Sequence, residues 1–287
     1  MGVLNWMSDE LYLRLKSWSF TGILPDFDDP KTFNDKLQWL KLHDRNPLYN
    51  TLVDKYAVKD WVASIIGEQY VTQTYARWER AEDIEISDLP ERFVLKTNHD
   101  CGGIVICSNR ASFDLDAAKS KLAKHLSRNY YWGGREWPYK DVKPCVFAEE
   151  YLEPDASGDL VDYKLFRFSN GRIITLLMTD RFTDSVLTET FFDEKWRPLD
   201  LVEDGHPRKT AAPVPSHFEE MKTLANRLAK DFPFMRVDFY ESAGRLLFGE
   251  ITLYPKSGFE NFEPSYWNAE FGSWINLGSG EVSPCEY

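Results

Sequence analysis

The chain has 287 residues, 43% of them hydrophobic and 15% aromatic, enough to bury a full core in one large domain or two closely joined lobes. Its 34 lysines and arginines against 46 aspartates and glutamates give a formal net charge of −12. This acidity argues against nonspecific nucleic-acid binding, although a few local lysines and a metal can still make a cleft attractive to a nucleotide.

The cysteines form neither a zinc motif nor a disulfide framework. Cys101, Cys107, Cys145 and Cys285 include no CxxC pair and no cysteine/histidine cluster, so we expect reduced thiols. No apolar run approaches the roughly 20 residues that span a bilayer, and the N-terminus lacks the basic-then-apolar order of a signal peptide. We therefore expect a cytoplasmic protein with at most peripheral membrane contact.

The first half of the chain predicts mainly helices. Residues 8–18 form an amphipathic pattern with Leu11, Leu15 and Trp18 on one side, and we expect this face to pack on the protein's own core rather than on a membrane. The stretch 69–78 looks extended. Further helices are predicted over residues 33–43, 52–66 and 114–130.

From Pro144 onward the pattern becomes a run of strands, with one helix predicted over 218–232. Asn170-Gly171 and Ala243-Gly244 are turn sequences that predict two hairpins. The strands are predicted over residues 146–148, 163–168, 172–179, 234–240 and 246–253. Helices mixed with antiparallel hairpins indicate an α+β fold rather than a doubly wound sheet.

A lysine stands at the end of one predicted strand, beside a glycine loop. Residues 93–95 are apolar, Lys96 follows them, and Gly102-Gly103 precede a second apolar run at 104–106. An ammonium group next to flexible, amide-rich backbone suits a polyphosphate. An ordinary hairpin would show the same pattern, so this stretch alone does not decide the function.

Two carboxylates in the last hairpin give the strongest chemical signal. Because side chains alternate along a strand, Arg236 and Asp238 share a face, and closing the hairpin brings Asp238 opposite Glu250. Two such carboxylates among apolar residues repel unless a cation lies between them, and hard oxygen ligands select Mg²⁺ or Mn²⁺. The alternative is a pair of exposed strand residues neutralised by Arg236 or by surface cations.

Three further sets of residues fit a nucleotide or a substrate. Lys164 and Arg181 supply positive charge against a triphosphate, and the segment 149–152 offers carboxylates and backbone groups to an adenine. The loop 131–139, rich in glycine and aromatic residues, suits a sugar or peptide cleft, or is simply a loop pinned to the core by its rings.

The order of these features resembles that of ATP-grasp enzymes, and more closely the TupA-like ATP-grasp family, named after teichuronopeptide synthesis. The segments that carry the resemblance span nearly the whole chain. They are residues 30–40, 54–59, 93–103, 148–152, 162–164, 236–240 and 248–255, with Ser257-Gly258.

The resemblance implies a set of nucleotide contacts. Lys96 would hold the phosphates and the loop 98–103 would close over them. The loop residues implied are Asn98, His99, Gly102 and Gly103. Glu149, Glu150 and the backbone of Leu152 would face the adenine, and Asp155 the ribose.

The resemblance also implies the catalytic groups. Lys164 and Arg181 would contact the γ-phosphate, Asp238 and Glu250 would bind Mg²⁺, and Arg236 would steady an acyl intermediate. Many ATP-grasp ligases have Glu-x-Asn at the second metal strand, whereas this chain has Thr at position 252, and a hydroxyl is a poorer metal ligand.

We expect only a short helical segment in place of the family's usual N-terminal domain, and substrate recognition is therefore assigned to Arg135, Glu136 and Tyr139. The domains expected are a helical segment over 1–53, a small ATP-grasp lobe with the phosphate loop over 54–150, and a large lobe with the metal site over 151–287.

The implied activity joins the carboxylate of a uronic-acid sugar or of glutamate to an amino acid. ATP activates the carboxylate as an acyl phosphate, and the family context points to a cell-surface polysaccharide. A kinase, a glycosyltransferase, or a glycan-binding module suggested by the ten tryptophans are the alternatives.

Overall fold

A computed structural model of the chain describes residues 4–154, 160–180 and 186–278. The chain divides into two compact units. We call Leu48–Glu153 the small unit, and Met1–Pro47 with Pro154–Tyr287 the large unit. The first 47 residues therefore cluster with the C-terminal half of the chain. The three-segment division expected from the sequence stays a prediction.

Helices and antiparallel strands alternate within the described ranges, and the predicted α+β class is confirmed. The helices are α1 (Asp9–Thr21), α2 (Phe33–His43), α3 (Leu48–Val53), α4 (Val58–Ile66), α5 (Leu115–Leu126), α6 (Tyr131–Gly134), α7 (Phe218–Leu228) and α8 (Tyr266–Ser273).

The small unit contains a four-stranded sheet in the order β1-β4-β2-β3, in which every pair is antiparallel. Its strands are β1 (Thr74–Trp78), β2 (Phe93–Thr97), β3 (Ile104–Cys107) and β4 (Val146–Glu150). Leu122 of α5 and Leu95 of β2 are fully buried in one core under this sheet. The sheet thus holds the two ends of the glycine loop, which follow β2 and precede β3.

The large unit contains a five-stranded antiparallel sheet in the order β10-β9-β5-β6-β7, and a two-stranded pair β11-β8. The strands are β5 (Asp162–Phe168), β6 (Ile173–Thr179), β7 (Thr188–Phe192), β8 (Val202–Glu203), β9 (Phe234–Ser242), β10 (Arg245–Thr252) and β11 (Phe262–Glu263). The even-numbered residues of β5 and β9 share one face of the five-stranded sheet, because Lys164 is paired with Asp238.

That shared face is covered at one end and charged at the other. Phe33 of α2 packs against Phe168 and Phe234, with ring centroids 6.1 and 5.1 Å away. On the opposite face, Arg167 donates to the Ala229 carbonyl just after α7, at 2.9 Å. The N-terminal helices therefore close the apolar end of the sheet and leave its charged end to the functional residues.

The structure differs from the sequence prediction in several helices. The helices predicted to end at residues 130 and 232 end at Leu126 and Leu228, and two other differences are larger. The helix predicted over 52–66 is two helices, because Asp54 Oδ1 accepts hydrogen bonds from the backbone of Tyr56 and Ala57 and turns the chain between them. The tail predicted as loop contains α8, which packs on the start of α2. Its aromatic residues hid the helical pattern.

The outer face of α1 was also predicted wrongly. Leu11, Leu15 and Trp18 are 45%, 45% and 60% exposed, whereas Leu13 on the opposite side is fully buried. The helix itself begins where predicted, with Ser8 Oγ accepting from the Leu11 backbone at 3.4 Å. None of the described helices has both the length and the apolar composition required to cross a membrane.

Gly272 of α8 sets the close approach of this helix to the start of α2. A Cβ at position 272 would lie 2.1 Å from the Lys31 carbonyl oxygen and 2.8 Å from the Phe33 nitrogen. Because both are backbone atoms, neither can swing away. We expect Gly272→Ala to lower the free energy of unfolding by about 3 kcal/mol.

The measurement is the urea midpoint of the purified chain, with Gly133→Ala as the matched control. A Cβ at position 133 meets nothing within 4 Å, so that variant should match the parent within about 0.5 kcal/mol. Equal midpoints for the two variants would contradict the packing of α8 on α2.

Candidate active site

The small unit brings two lysines onto one carboxylate. Lys96 of β2 and Glu149 of β4 lie on the same face of the sheet, because Val94 is paired with Glu149. The ammonium groups of Lys96 and Lys59 each contact a different oxygen of Glu149, Lys59 at 2.8 Å. Lys59 Nζ also donates to Thr74 Oγ1 at 2.8 Å. We call these residues the lysine cluster.

The lysine cluster is buried and carries an excess positive charge. Glu149 is 5% exposed. Burial opposes its ionisation, but the ammonium groups of Lys96 and Lys59 outweigh this and lower the pKa of Glu149 to about 2. Burial lowers the pKa of Lys59 in spite of Glu149. Two cations on one anion leave a net charge of +1, which suits a phosphate oxygen.

Lys59 was missed as a functional residue in the sequence. It lies in the segment 54–59 that carries the family resemblance, but a helical pattern does not say which lysine turns toward the sheet. Glu149 had been assigned to adenine, and in this structure both of its oxygens are held by lysines. Its proposed nucleotide contact stays a prediction.

The polar residues at the base of the glycine loop are pinned inside the small unit. Asn98 and His99 are each 1% exposed. The Asn98 side chain donates to Asp54 Oδ2 at 2.8 Å and accepts from the Cys145 backbone at 2.8 Å, and His99 Nε2 lies 3.0 Å from the Arg128 carbonyl oxygen. These contacts fix where the loop leaves and re-enters the sheet.

The tip of the glycine loop is the part that reaches solvent. Cys101 and Gly102 are exposed, and Gly102 has a φ of +87° that favours glycine. A Cβ on Gly103 would lie 1.8 Å from Thr97 Oγ1, so this position admits only glycine without local rearrangement. The two glycines thus allow the turn and the close approach of its ends.

Of the other residues predicted for the nucleotide or the substrate, Glu150 interacts electrostatically with Lys59 of the lysine cluster. Glu150 and Leu152 are half-buried. Arg135 and Glu136 are 1% and 5% exposed, and the Arg135 guanidinium lies 4.7 Å from the centre of the Trp132 ring. The other three predicted positions are Tyr139, which is half-buried, and Asp155 and Arg181, which lie outside the described residues.

The large unit brings Asp238, Glu250, Lys164 and Arg236 together on one face of its sheet, with Asp162 beside them; we call these five the sheet cluster. Glu250 is paired with Asp238 and Asp238 with Lys164 across three neighbouring strands. The predicted opposition of the two carboxylates is confirmed.

Every oxygen of Asp238 is engaged by a cation. Arg236 Nε lies 2.7 Å from Oδ1, and Arg236 Nη2 and Lys164 Nζ lie 2.7 and 2.6 Å from Oδ2. Arg236 Nη2 also bonds Glu250 Oε1 at 2.9 Å, and Lys164 Nζ lies 2.5 Å from Asp162 Oδ2. One guanidinium and one ammonium therefore link three carboxylates.

Burial makes these charges interdependent. Asp238 is fully buried, and this burial raises its pKa although Arg236 and Lys164 oppose the shift. Burial disfavours the charged forms of Lys164 and Arg236, but the carboxylates outweigh it and raise both pKa values above their usual range. The cations of the cluster therefore stay charged at any physiological pH.

The donor set of the sheet cluster is compatible with a hard divalent cation. Asp238, Glu250 and Asp162 supply carboxylate oxygens, and the five side chains carry three negative and two positive charges. In the structure the carboxylates are held by Arg236 and Lys164, and the described residues contain no group of three or more His, Cys, Asp or Glu already arranged around a metal position. Asp162 was not assigned from the sequence.

Comparison with known proteins identifies the class of enzyme. The family described as TupA-like ATPgrasp matches residues 35–276. The chain belongs to the TupA-like ATP-grasp family, and it is therefore an ATP-dependent enzyme of the carboxylate–amine ligase type. No curated protein matches the chain significantly.

Solved structures give a weaker likeness. D-alanine–D-alanine ligase from Helicobacter pylori is 13% identical with a TM-score of 0.48, and the match covers 85% of this chain and 69% of that one. The Bacillus anthracis D-alanine–D-alanine ligase complexed with ATP is 16% identical with a TM-score of 0.42, covering 78% and 65%. The ATP-grasp ligase PsnB, complexed with minimal precursor, Mg and ADP, is 13% identical with a TM-score of 0.41, covering 76% and 57%. The family match, not these likenesses, establishes the family.

The lysine cluster predicts a specific pattern of stability. Glu149→Gln leaves Lys59 buried without its counter-ion, and we expect a loss of about 3 kcal/mol in the free energy of unfolding. Lys59→Met removes the buried cation, so adding it to Glu149→Gln should cost less than the sum of the two single changes. The measurement is the urea midpoint of each single and double variant.

The control is Glu79→Gln, which breaks the exposed pair of Glu79 with Lys143, whose side chains are 54% and 69% exposed. It should change stability by less than about 0.5 kcal/mol. Because the pKa of Glu149 is lowered, its contribution is complete above about pH 4.5 and is lost as the pH falls toward 2. Strictly additive effects of Glu149→Gln and Lys59→Met would contradict the cluster. So would a stability difference between the parent and Glu149→Gln that grows at low pH.

Proposed function

We propose that the protein joins the carboxylate of a uronic-acid sugar or of glutamate to an amino acid, forming an amide bond through an acyl phosphate. The cofactors are ATP and Mg²⁺ or Mn²⁺. The enzyme acts in the cytoplasm, in the synthesis of a polysaccharide that is destined for the cell surface. The observation that carries the proposal is the fully buried Asp238, held by Arg236 and Lys164 opposite Glu250.

In the small unit, the proposed ligand is nucleotide phosphate. Lys96 and Lys59 converge on one carboxylate and leave a positive charge over, and the exposed tip of the glycine loop offers backbone to an anion. Phosphate oxygens would replace Glu149 as the partner of the lysines. Glu149 then acts as the group that keeps two like charges together while no phosphate is bound.

In the large unit, Asp238 and Glu250 are the proposed metal ligands. A bound Mg²⁺ would neutralise charge on the phosphoryl group during transfer. Lys164 adds a fixed positive charge beside it, and Arg236, which bridges both carboxylates, is placed to steady the oxygen of an acyl intermediate. Because the site already contains these cations, little rearrangement of charge is needed when the carboxylate substrate becomes an acyl phosphate.

The test is ADP release with ATP, Mg²⁺, a panel of uronic acids and glutamate, and a panel of amino acids. Hydroxylamine in place of the amino acid should trap the acyl phosphate as a hydroxamate. We expect Asp238→Asn and Glu250→Gln each to lower both signals at least 100-fold, because each removes a negative oxygen ligand. Glu250 is partly exposed, so its variant should also keep the parent's melting temperature.

The matched control is Glu263→Gln, which changes an exposed carboxylate of β11 and should keep full activity. A kinase would release ADP without forming hydroxamate, and that result would replace the ligase proposal. Full activity of both Asp238→Asn and Glu250→Gln would remove the metal assignment.

A further inference from the structure

A fourth carboxylate, that of Glu189, lies on the same face of the large-unit sheet, outside the sheet cluster. Asp162 is paired with Met178, and Met178 with Glu189 of β7, so all three side chains project from one face. Two strand spacings separate Asp162 from Glu189, roughly 10 Å between their backbones.

Glu189 is buried without a matching donor. It is 6% exposed, and its Oε2 accepts no hydrogen bond from any residue within 4–154, 160–180 or 186–278. Burying a carboxylate oxygen without a partner is costly, so a donor from a ligand would be favourable at this atom.

A second buried carboxylate stands next to Glu189. The Glu189 backbone nitrogen donates to the Pro207 carbonyl at 2.9 Å, and the His206 nitrogen donates to the Glu203 carbonyl at 3.1 Å. This turn brings Glu203, which is 2% exposed, against the end of β7. Both carboxylates thus belong to one small region formed by β7, β8 and the turn that follows.

One lysine only partly balances these charges. Lys256 Nζ lies 2.7 Å from Glu203 Oε1 and 2.8 Å from Asp204 Oδ2. The Lys256 and Asp204 side chains are 36% and 42% exposed, so the region opens to solvent on their side. Three carboxylates, those of Glu189, Glu203 and Asp204, share this one ammonium.

We propose that Glu189 and Glu203 bind the ammonium group of the amine substrate. This assignment rests on the proposed ligase function and names the end of the site that receives the amine. An ammonium has several N–H donors and can bond two carboxylates, including the Glu189 Oε2 atom, which has no donor among the described residues. A metal fits less well, because these carboxylates do not form a three-ligand metal group within the described residues.

The same pair offers a route for the proton that the amine must lose. Burial raises the pKa of Glu203 to about 7, with Lys256 opposing the rise and Glu189 and Asp204 adding to it. One proton passes from the ammonium to the Glu203 carboxylate and frees the nitrogen lone pair. The neutral amine then moves from the two glutamates to the acyl phosphate at the sheet cluster. There its nitrogen bonds the acyl carbon as the carbon–oxygen bond to phosphate breaks, and a second proton leaves with the phosphate.

The test compares two nucleophiles in the parent and in Glu189→Gln. One is the amino acid that the parent uses best; the other is hydroxylamine, which is uncharged at pH 7 and needs no ammonium site. We expect the KM for the amino acid to rise at least ten-fold, while kcat/KM for hydroxylamine falls less than three-fold. The melting temperature should not fall, because glutamine removes a buried charge whose Oε2 atom has no hydrogen-bond donor among the described residues.

Glu263→Gln serves as the control and should change neither the KM for the amino acid nor kcat/KM for hydroxylamine. Two results would show that the ammonium site is wrong while the ligase function stands, provided that the parent forms hydroxamate. In one, Glu189→Gln keeps the parent's KM for the amino acid; in the other, its activity falls equally with the amino acid and with hydroxylamine. If the parent forms neither amide nor hydroxamate, the ligase function itself is wrong.

Discussion

The carboxylate of Asp238 cannot be buried alone, and the arrangement of the large unit follows from that constraint. An isolated ionised carboxylate in a protein interior is strongly disfavoured, so it must be neutralised or paired. Here three neighbouring strands bring Arg236, Lys164 and Glu250 to it, and α2 and α8 close the apolar end of the same sheet. The charged groups of the sheet cluster are costly to bury. Their presence fits a site in which a metal ion replaces Arg236 or Lys164 as a partner of the carboxylates.

The lysine cluster and the sheet cluster carry opposite excess charges. The lysine cluster has two cations on one buried anion, and the sheet cluster has two cations among three anions. Each excess has the sign that its proposed ligand would neutralise, phosphate in the small unit and a divalent cation in the large one. In a chain with a net charge of −12, the lysine cluster is a local reversal of the overall field.

The sequence predicted the fold class, α2, and the pairing of Asp238 with Glu250, because these depend on local periodicity and on one hairpin. It did not predict that Lys59, from a helix, meets Lys96 and Glu149, since that contact joins elements up to 90 residues apart. Glu189 was missed for a related reason. Strand β7 carries no alternation of polar and apolar residues, so only its burial, which the structure shows, distinguishes this carboxylate.

Manganese binding measured by electron paramagnetic resonance tests the central claim most directly, since Mn²⁺ replaces Mg²⁺ at oxygen sites and its free signal falls on binding. The account predicts that the parent chain with ADP removes free Mn²⁺ from solution, and that Asp238→Asn and Glu250→Gln each weaken this binding at least ten-fold. Manganese affinities in both variants equal to that of the parent would contradict it.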